Sequence, residues 1–98
     1  MRPTISFLPA ARREIIEAFD WYEALAPGLG GVFQSQVDRQ VVRILDNPLQ
    51  FPALVADVRR ARLKQFPYAL FFKTSDADIF IIACFHASRD PQVWQGRL

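Results

Sequence analysis

The chain is poor in the residues that most often carry chemistry: one cysteine, one histidine, one methionine and four glycines among 98 residues. The lone Cys84 sits inside an apolar run, so it cannot form an internal disulfide, and no further ligands stand around it at metal-binding spacing. Neither a disulfide scaffold nor a metal site is expected, and a reducing compartment suits this usage. No apolar run approaches the ~20 residues that cross a bilayer. Residues 1–9 also lack the apolar centre of a signal peptide. The expectation is a soluble, cytoplasmic protein with no membrane partner. Gly28, Gly30 and Gly31 precede a helical pattern, but without the preceding strand or the spacing of a phosphate-cradling loop, so no nucleotide and no other cofactor is expected. Repeats, low-complexity tracts and linkers are missing too, which predicts one domain over residues 1–98.

Apolar side chains are plentiful. Half the residues are hydrophobic and nine are Phe, enough for a packed core rather than a disordered chain. The formal net charge of +2 selects no class of partner, but Arg59, Arg60, Arg62 and Lys64 crowd together in a local basic stripe.

Taken in order, residues 4–8 alternate apolar and polar side chains between two prolines, which suits an edge strand. Pro9 is tolerated in a first helical turn, and Ala11, Ile15, Ala18, Tyr22 and Leu25 then recur at helical spacing until the Ala26-Pro27-Gly28 break. Trp21, Tyr22 and the phenylalanines are expected mostly in the core. A second helix carries Phe33, Val37, Val41 and Ile44 on one face, with Gln34, Gln36, Asp38, Arg39 and Arg43 outside it, and stops at Asn47-Pro48. The short connection predicts an antiparallel helical hairpin. Residues 49–56 read as a loop packed over the core. From residue 58 to 66 the period becomes two, with Ala61 and Leu63 on one face and Arg60, Arg62 and Lys64 on the other. Residues 68–74 form a further strand, with Leu70 and Phe72 opposite Phe71. Residues 79–85 are apolar throughout, as in a central strand covered on both faces. The turn at 75–78 joins these two as a hairpin. The predicted class is α+β in the order β-α-α-β-β-β, a helical hairpin packed on a mainly antiparallel sheet. Two helices and a short tail leave one sheet face in need of cover, which predicts an exposed apolar patch and a partner peptide rich in Leu, Ile and acids.

Several features fall in a familiar order. They are Trp21-Tyr22 late in the first helix, Pro27-Gly28-Leu29-Gly30 with Phe33 opening the second, and Asn47-Pro48 at its end. The basic run into Phe66-Pro67-Tyr68 follows, then His86-Ala-Ser-Arg89-Asp90-Pro91-Gln-Val-Trp94. In these the chain resembles the RelE/ParE superfamily of type II toxins, whose ParE-like members include plasmid stabilisation toxins. The resemblance implies a growth-inhibiting protein held inactive, as a hetero-oligomer, by a cognate antitoxin. It implies one of two activities: ribosome-dependent cleavage of mRNA, or poisoning of DNA gyrase without nuclease chemistry. A non-toxic relic kept for antitoxin binding is the third reading.

Metal-independent RNA cleavage needs a general base for the 2′-hydroxyl, an acid for the leaving oxygen and cations for the phosphate. The residues that could supply it are Arg60, Arg62, Lys64, His86 and Arg89. Alternate cations on a strand stand ~7 Å apart, near the phosphate repeat of a nucleic acid strand. The same ladder is explained by protection of a sheet edge or by contact with an antitoxin or target, which would use Arg60, Arg62, Lys64, Tyr68 and Arg89. His86 serves as a base or as a hydrogen-bonded residue at the sheet margin. Relative to the ribosome-dependent nucleases that the chain resembles, Ala69 replaces an arginine and Trp94 a titratable late residue. An indole cannot serve as the acid, so the expectation leans to a protein that binds its target and is not an enzyme.

Overall fold

The computed structural model describes residues 4–86 and residue 97. Of the expected features, Arg89, Trp94 and the rest of the tail between His86 and Arg97 lie outside the described residues. The elements are β1 (Thr4–Phe7), α1 (Pro9–Leu25), α2 (Leu29–Asp46), a 3₁₀ turn at Pro48–Gln50, β2 (Ala53–Val55), β3 (Val58–Arg62), β4 (Tyr68–Ser75) and β5 (Asp78–His86). Five strands form one sheet in the order β1-β5-β4-β3-β2. All neighbours are antiparallel except β1, which lies parallel to β5. Both helices pack on one face, giving the expected α+β arrangement.

Three expectations about the sheet need correction. Residues 49–56 are not wholly loop, because they contain β2. Pro52 lends its carbonyl to the Arg60 N–H, so a strand of only three residues is held by backbone pairing that no periodicity announces. β3 is consequently not an edge strand over its first half. Second, β5 is interior, but the middle strand is β4. Third, on the outer sheet face, where an exposed apolar patch was expected, Val58, Ala69, Phe71, Ile82, Ala83 and Phe85 are all buried in a second cluster.

α1 buries Ala11, Ile15 and Ala18, and α2 buries Phe33, Val37 and Ile44, against Ala61, Leu63, Leu70, Phe72, Ile79, Ile81 and Cys84. The alternation along β5 is broken at Ile82. Phe71 pairs with Ala83 and Phe72 with Ile81, leaving Ile82 as a bulge. Ile79, Ile81 and Cys84 therefore face the helices, while Ile82, Ala83 and Phe85 face away.

Two polar residues that a hydrophobic pattern leaves outside, Gln36 and Gln40, are buried on α2. Gln40 Nε2 donates to the carbonyl of Arg62, and Gln40 Oε1 accepts from Arg43 Nη1 at 3.0 Å. A side chain thus satisfies the β3 edge beyond the reach of β2. Trp21 and Leu25 depart from the expected core in the other direction, being 63% and 62% exposed. Tyr22 keeps its place, within 6.0 Å centroid distance of Phe33, Phe66 and Tyr68.

The α1–α2 corner is set by Glu23, whose carboxylate accepts from the Gly28 and Gly30 N–H groups at 2.9 Å each. These are first-turn donors with no intrahelical acceptor, and a carboxylate also suits the positive end of the α2 dipole. The corner is tight: a Cβ on Gly30 would stand 2.9 Å from both Glu23 Oε1 and the Phe19 carbonyl, whereas one on Gly31 meets nothing within 4 Å. Gly30→Ala is expected to destabilise by about 1–3 kcal/mol, as overpacking does. Gly31→Ala should be neutral or stabilising by up to about 1 kcal/mol. Urea unfolding of the two variants checks the contrast, and equal stabilities would contradict it.

Candidate functional site

β3 delivers its cations to the outer face. Arg60 and Arg62 stand opposite Phe71 and Ala69, two members of the outer apolar cluster, and share the parity of Val58. Lys64 lies past the end of β3, exposed in the connection to β4, so the ladder of three is a strand pair plus one turn residue. Arg60 Nε is buried and has no hydrogen-bond partner. Beyond Phe71 and Ala69 come Ala83 and Phe85 on β5, so the described row beside the two guanidiniums holds no titratable group.

Tyr68 and His86 are cross-strand partners in the row next to Arg62, Ala69 and Phe85, and they share a face, with ring centroids 6.2 Å apart. That face is the helical one, since Tyr68 packs edge-on to Tyr22 and Phe33, at 6.0 and 5.6 Å. His86 is exposed at the strand end. The residues that sequence brought together as one candidate site are therefore divided, Arg60 and Arg62 on one side of the sheet and Tyr68 and His86 on the other.

The helical side holds a cleft of about 350 Å³ that the sequence did not announce, lined by Glu14, Glu17, Ala18 and Trp21 of α1 with Tyr68, Cys84, Phe85 and His86. Its origin is a length mismatch. β1 ends at Phe7 opposite Ile81, and Leu8 makes the last backbone bond, to the Ile81 carbonyl, before α1 begins. β5 runs on to His86, and among the described residues no strand continues beside it on that side. Side chains replace the missing strand: Glu14 Oε1 accepts from the Cys84 N–H at 3.1 Å, and Arg97 Nη1 donates to the Ile82 carbonyl at 2.9 Å. Arg97 also donates to Glu14 Oε1 and Oε2 at 3.0 and 2.8 Å, and its Cζ lies 5.8 Å from the Phe85 ring centroid. The hydrogen bond to Glu14 raises the Arg97 pKa above its ordinary value, against a smaller opposing effect of burial. Burial, helped by the neighbouring Glu14 charge, pushes the Cys84 thiol up to about 12. Burial, with Tyr68 nearby, also raises the Tyr22 phenol. Among the described residues no group of three or more His, Cys, Asp or Glu side chains could hold a metal, and no helix is long and apolar enough to cross a membrane.

The family model for the ParE toxin of the type II toxin–antitoxin system parDE matches residues 5–91, nearly the whole chain. The chain belongs to the ParE toxin family. Within the family's range, the toxin ParE2 of Mycobacterium tuberculosis is 28% identical over 86 residues, spanning 87% of this chain and 82% of the relative. Among solved structures, the chromosomal ParDE system from P. aeruginosa superposes with a TM-score of 0.75 at 20% identity, covering 88% of this chain and 96% of that one. The M. tuberculosis toxin–antitoxin complex RelBE2 gives 0.61 at 17% identity, over 88% and 99%. An arginine double mutant of the E. coli toxin RelE in the free state gives 0.58 at 18% identity, over 90% and 86%. These structural likenesses are likenesses of fold. The expected RelE/ParE resemblance and the helical hairpin on a mainly antiparallel sheet are both borne out.

Sequence reasoning missed Glu14, Trp21 and Arg97. Glu14 and Arg97 are 83 residues apart, and nothing local signals their pairing. Trp21 was legible as an aromatic at helical spacing, but not as an exposed one. The Glu14 and Arg97 side chains are only 16% and 22% exposed, so Arg97→Ala leaves a mostly buried carboxylate and is expected to cost about 2–4 kcal/mol, with Arg97→Lys recovering only part because an ammonium cannot fork. Chemical denaturation measures both; an Arg97→Ala variant as stable as wild type would contradict the pairing. The unfolded Cys84 thiol titrates near its ordinary 9.0 and the folded one near 12, so the native state keeps a proton that the unfolded chain loses. Stability is expected to fall as pH rises from about 9 to 12. Comparison with Cys84→Ala isolates that part of the slope, and identical slopes would contradict it.

Proposed function

We propose that this family member acts by binding a macromolecular target, DNA gyrase, and not by cutting RNA, and that a cognate antitoxin holds it inactive in a cytoplasmic hetero-oligomer. The observation that carries the reading is the division of the cationic and titratable residues between the two sheet faces. Metal-independent cleavage requires base, acid and cation within hydrogen-bond reach of one phosphate. Arg60 and Arg62 are on the outer face of β3; His86 is two strands away, ~10 Å across the sheet, and on the helical side. Ala69, beside Arg62, contributes no functional group. In this reading Arg60 and Arg62, with the exposed Lys64, contact the target or the antitoxin and have no catalytic role.

The antitoxin part is supported by two of the similar folds, which come from toxin–antitoxin systems. It is also supported by apolar side chains left exposed on the helices: Ile16, Trp21 and Leu25 on α1, and Val32 and Val42 on α2. Between the helices a groove of about 310 Å³, lined by Phe7, Ile15, Ile16 and Val37 and flanked by Arg12 and Asp38, suits the apolar face of an amphipathic segment. The surface for the partner is thus moved from the sheet, where it was first expected, to the helices.

Supercoiling of relaxed plasmid by purified gyrase is the test. The protein is expected to inhibit it, and inhibition should be relieved by the antitoxin. Normal supercoiling at saturating protein would overturn the gyrase assignment. If induction without the antitoxin left growth unchanged, the chain would be a non-toxic relic.

A further inference from the structure

Glu14, Glu17, Ala18 and Trp21 fall on one stripe of α1 and wall the cleft beside the part of β5 that extends past β1. Just beyond its Glu14 end a guanidinium is already held, Arg97 resting on the Glu14 carboxylate at 2.8 and 3.0 Å and over the Phe85 ring at 5.8 Å. One turn along the helix the same two chemistries recur. Glu17 and Trp21, four residues apart, present a carboxylate and an indole to the cleft, with Tyr68 and His86 on the far side. Glu17 is exposed, and among the described residues it has no hydrogen-bond or ion-pair partner. Trp21 is 63% exposed and belongs to neither core cluster of the described residues.

We propose that the Glu17–Trp21 end of the cleft is a second arginine socket, filled in trans by an arginine side chain of the antitoxin. The occupant rests on the antitoxin reading above; the socket itself rests on the geometry and on the precedent of Arg97, whose guanidinium is held beside the cleft by a carboxylate and a ring that line it. Arginine is favoured over lysine because its planar head stacks on an indole and forks onto a carboxylate. Leu25, 62% exposed and four residues beyond Trp21, continues the stripe where a neighbouring apolar side chain of the same segment would rest.

Two arms of one experiment separate the socket from its occupant. In the first, the Trp21 indole N–H resonance, assigned with Trp21→Phe, is followed by NMR during titration with N-acetyl-arginine amide and with its neutral isostere N-acetyl-citrulline amide. Binding of the arginine amide at least fivefold tighter, with the difference lost in Glu17→Gln, is expected. Equal response to both amides, or no effect of Glu17→Gln, overturns the socket. In the second arm, antitoxin affinity is measured for wild type, Glu17→Gln and Trp21→Ala, each checked for folding by circular dichroism. A loss of tenfold or more in both variants is expected, and unchanged affinity overturns the trans occupant. Absence of any complex with wild type would count against the antitoxin reading, and the first arm would still decide the socket.

Discussion

β1 is too short for the strand it pairs with. Four residues of β1 cover β5 as far as Ile81, and the chain then leaves for α1, so among the described residues no strand pairs with the carboxy-terminal half of β5 on that side. Backbone donors and acceptors cannot be left unpaired in a partly buried edge. The Cys84 N–H and the Ile82 carbonyl are accordingly taken by Glu14 and Arg97, which in turn pair with each other. This one constraint ties helix, sheet and the C-terminal Arg97 together and creates the cleft beside them.

The bulge at Ile82 stands at the same place. By shifting the alternation it keeps Cys84 on the helical side and returns Ala83 and Phe85 to the outer side, so both sheet faces are apolar along β5 for different residues. The apolar run at 79–85 is the sequence trace of this double burial. The position of the bulge within that run is not, because every residue there is apolar and any register satisfies the pattern.

Much of the framework was readable locally. Helical spacing in α1 and α2, the proline stops and the period-two stretch around Ala61 and Leu63 each report their own burial, and those elements are where they were expected. What escaped depends on distant partners. β2 is held by its pairing with Val58 and Arg59 of β3, and the buried Gln40 donates to the Arg62 carbonyl. Trp21 looks like core by spacing, yet faces the cleft. The candidate site was legible as a set of residue types but not as a place: strand parity puts Arg60 and Arg62 opposite Ala61 and Tyr68 beside Leu70, while the face of His86 depends on the bulge at Ile82.

That separation is the centre of the functional account, since a phosphate held by Arg60 and Arg62 is out of reach of His86. The most direct test is primer extension on a translated message after induction of the protein in growing cells. The account predicts arrested growth with the transcript uncut. New 5′ ends within the translated region, appearing on induction and lost in Arg60→Ala/Arg62→Ala, would contradict it.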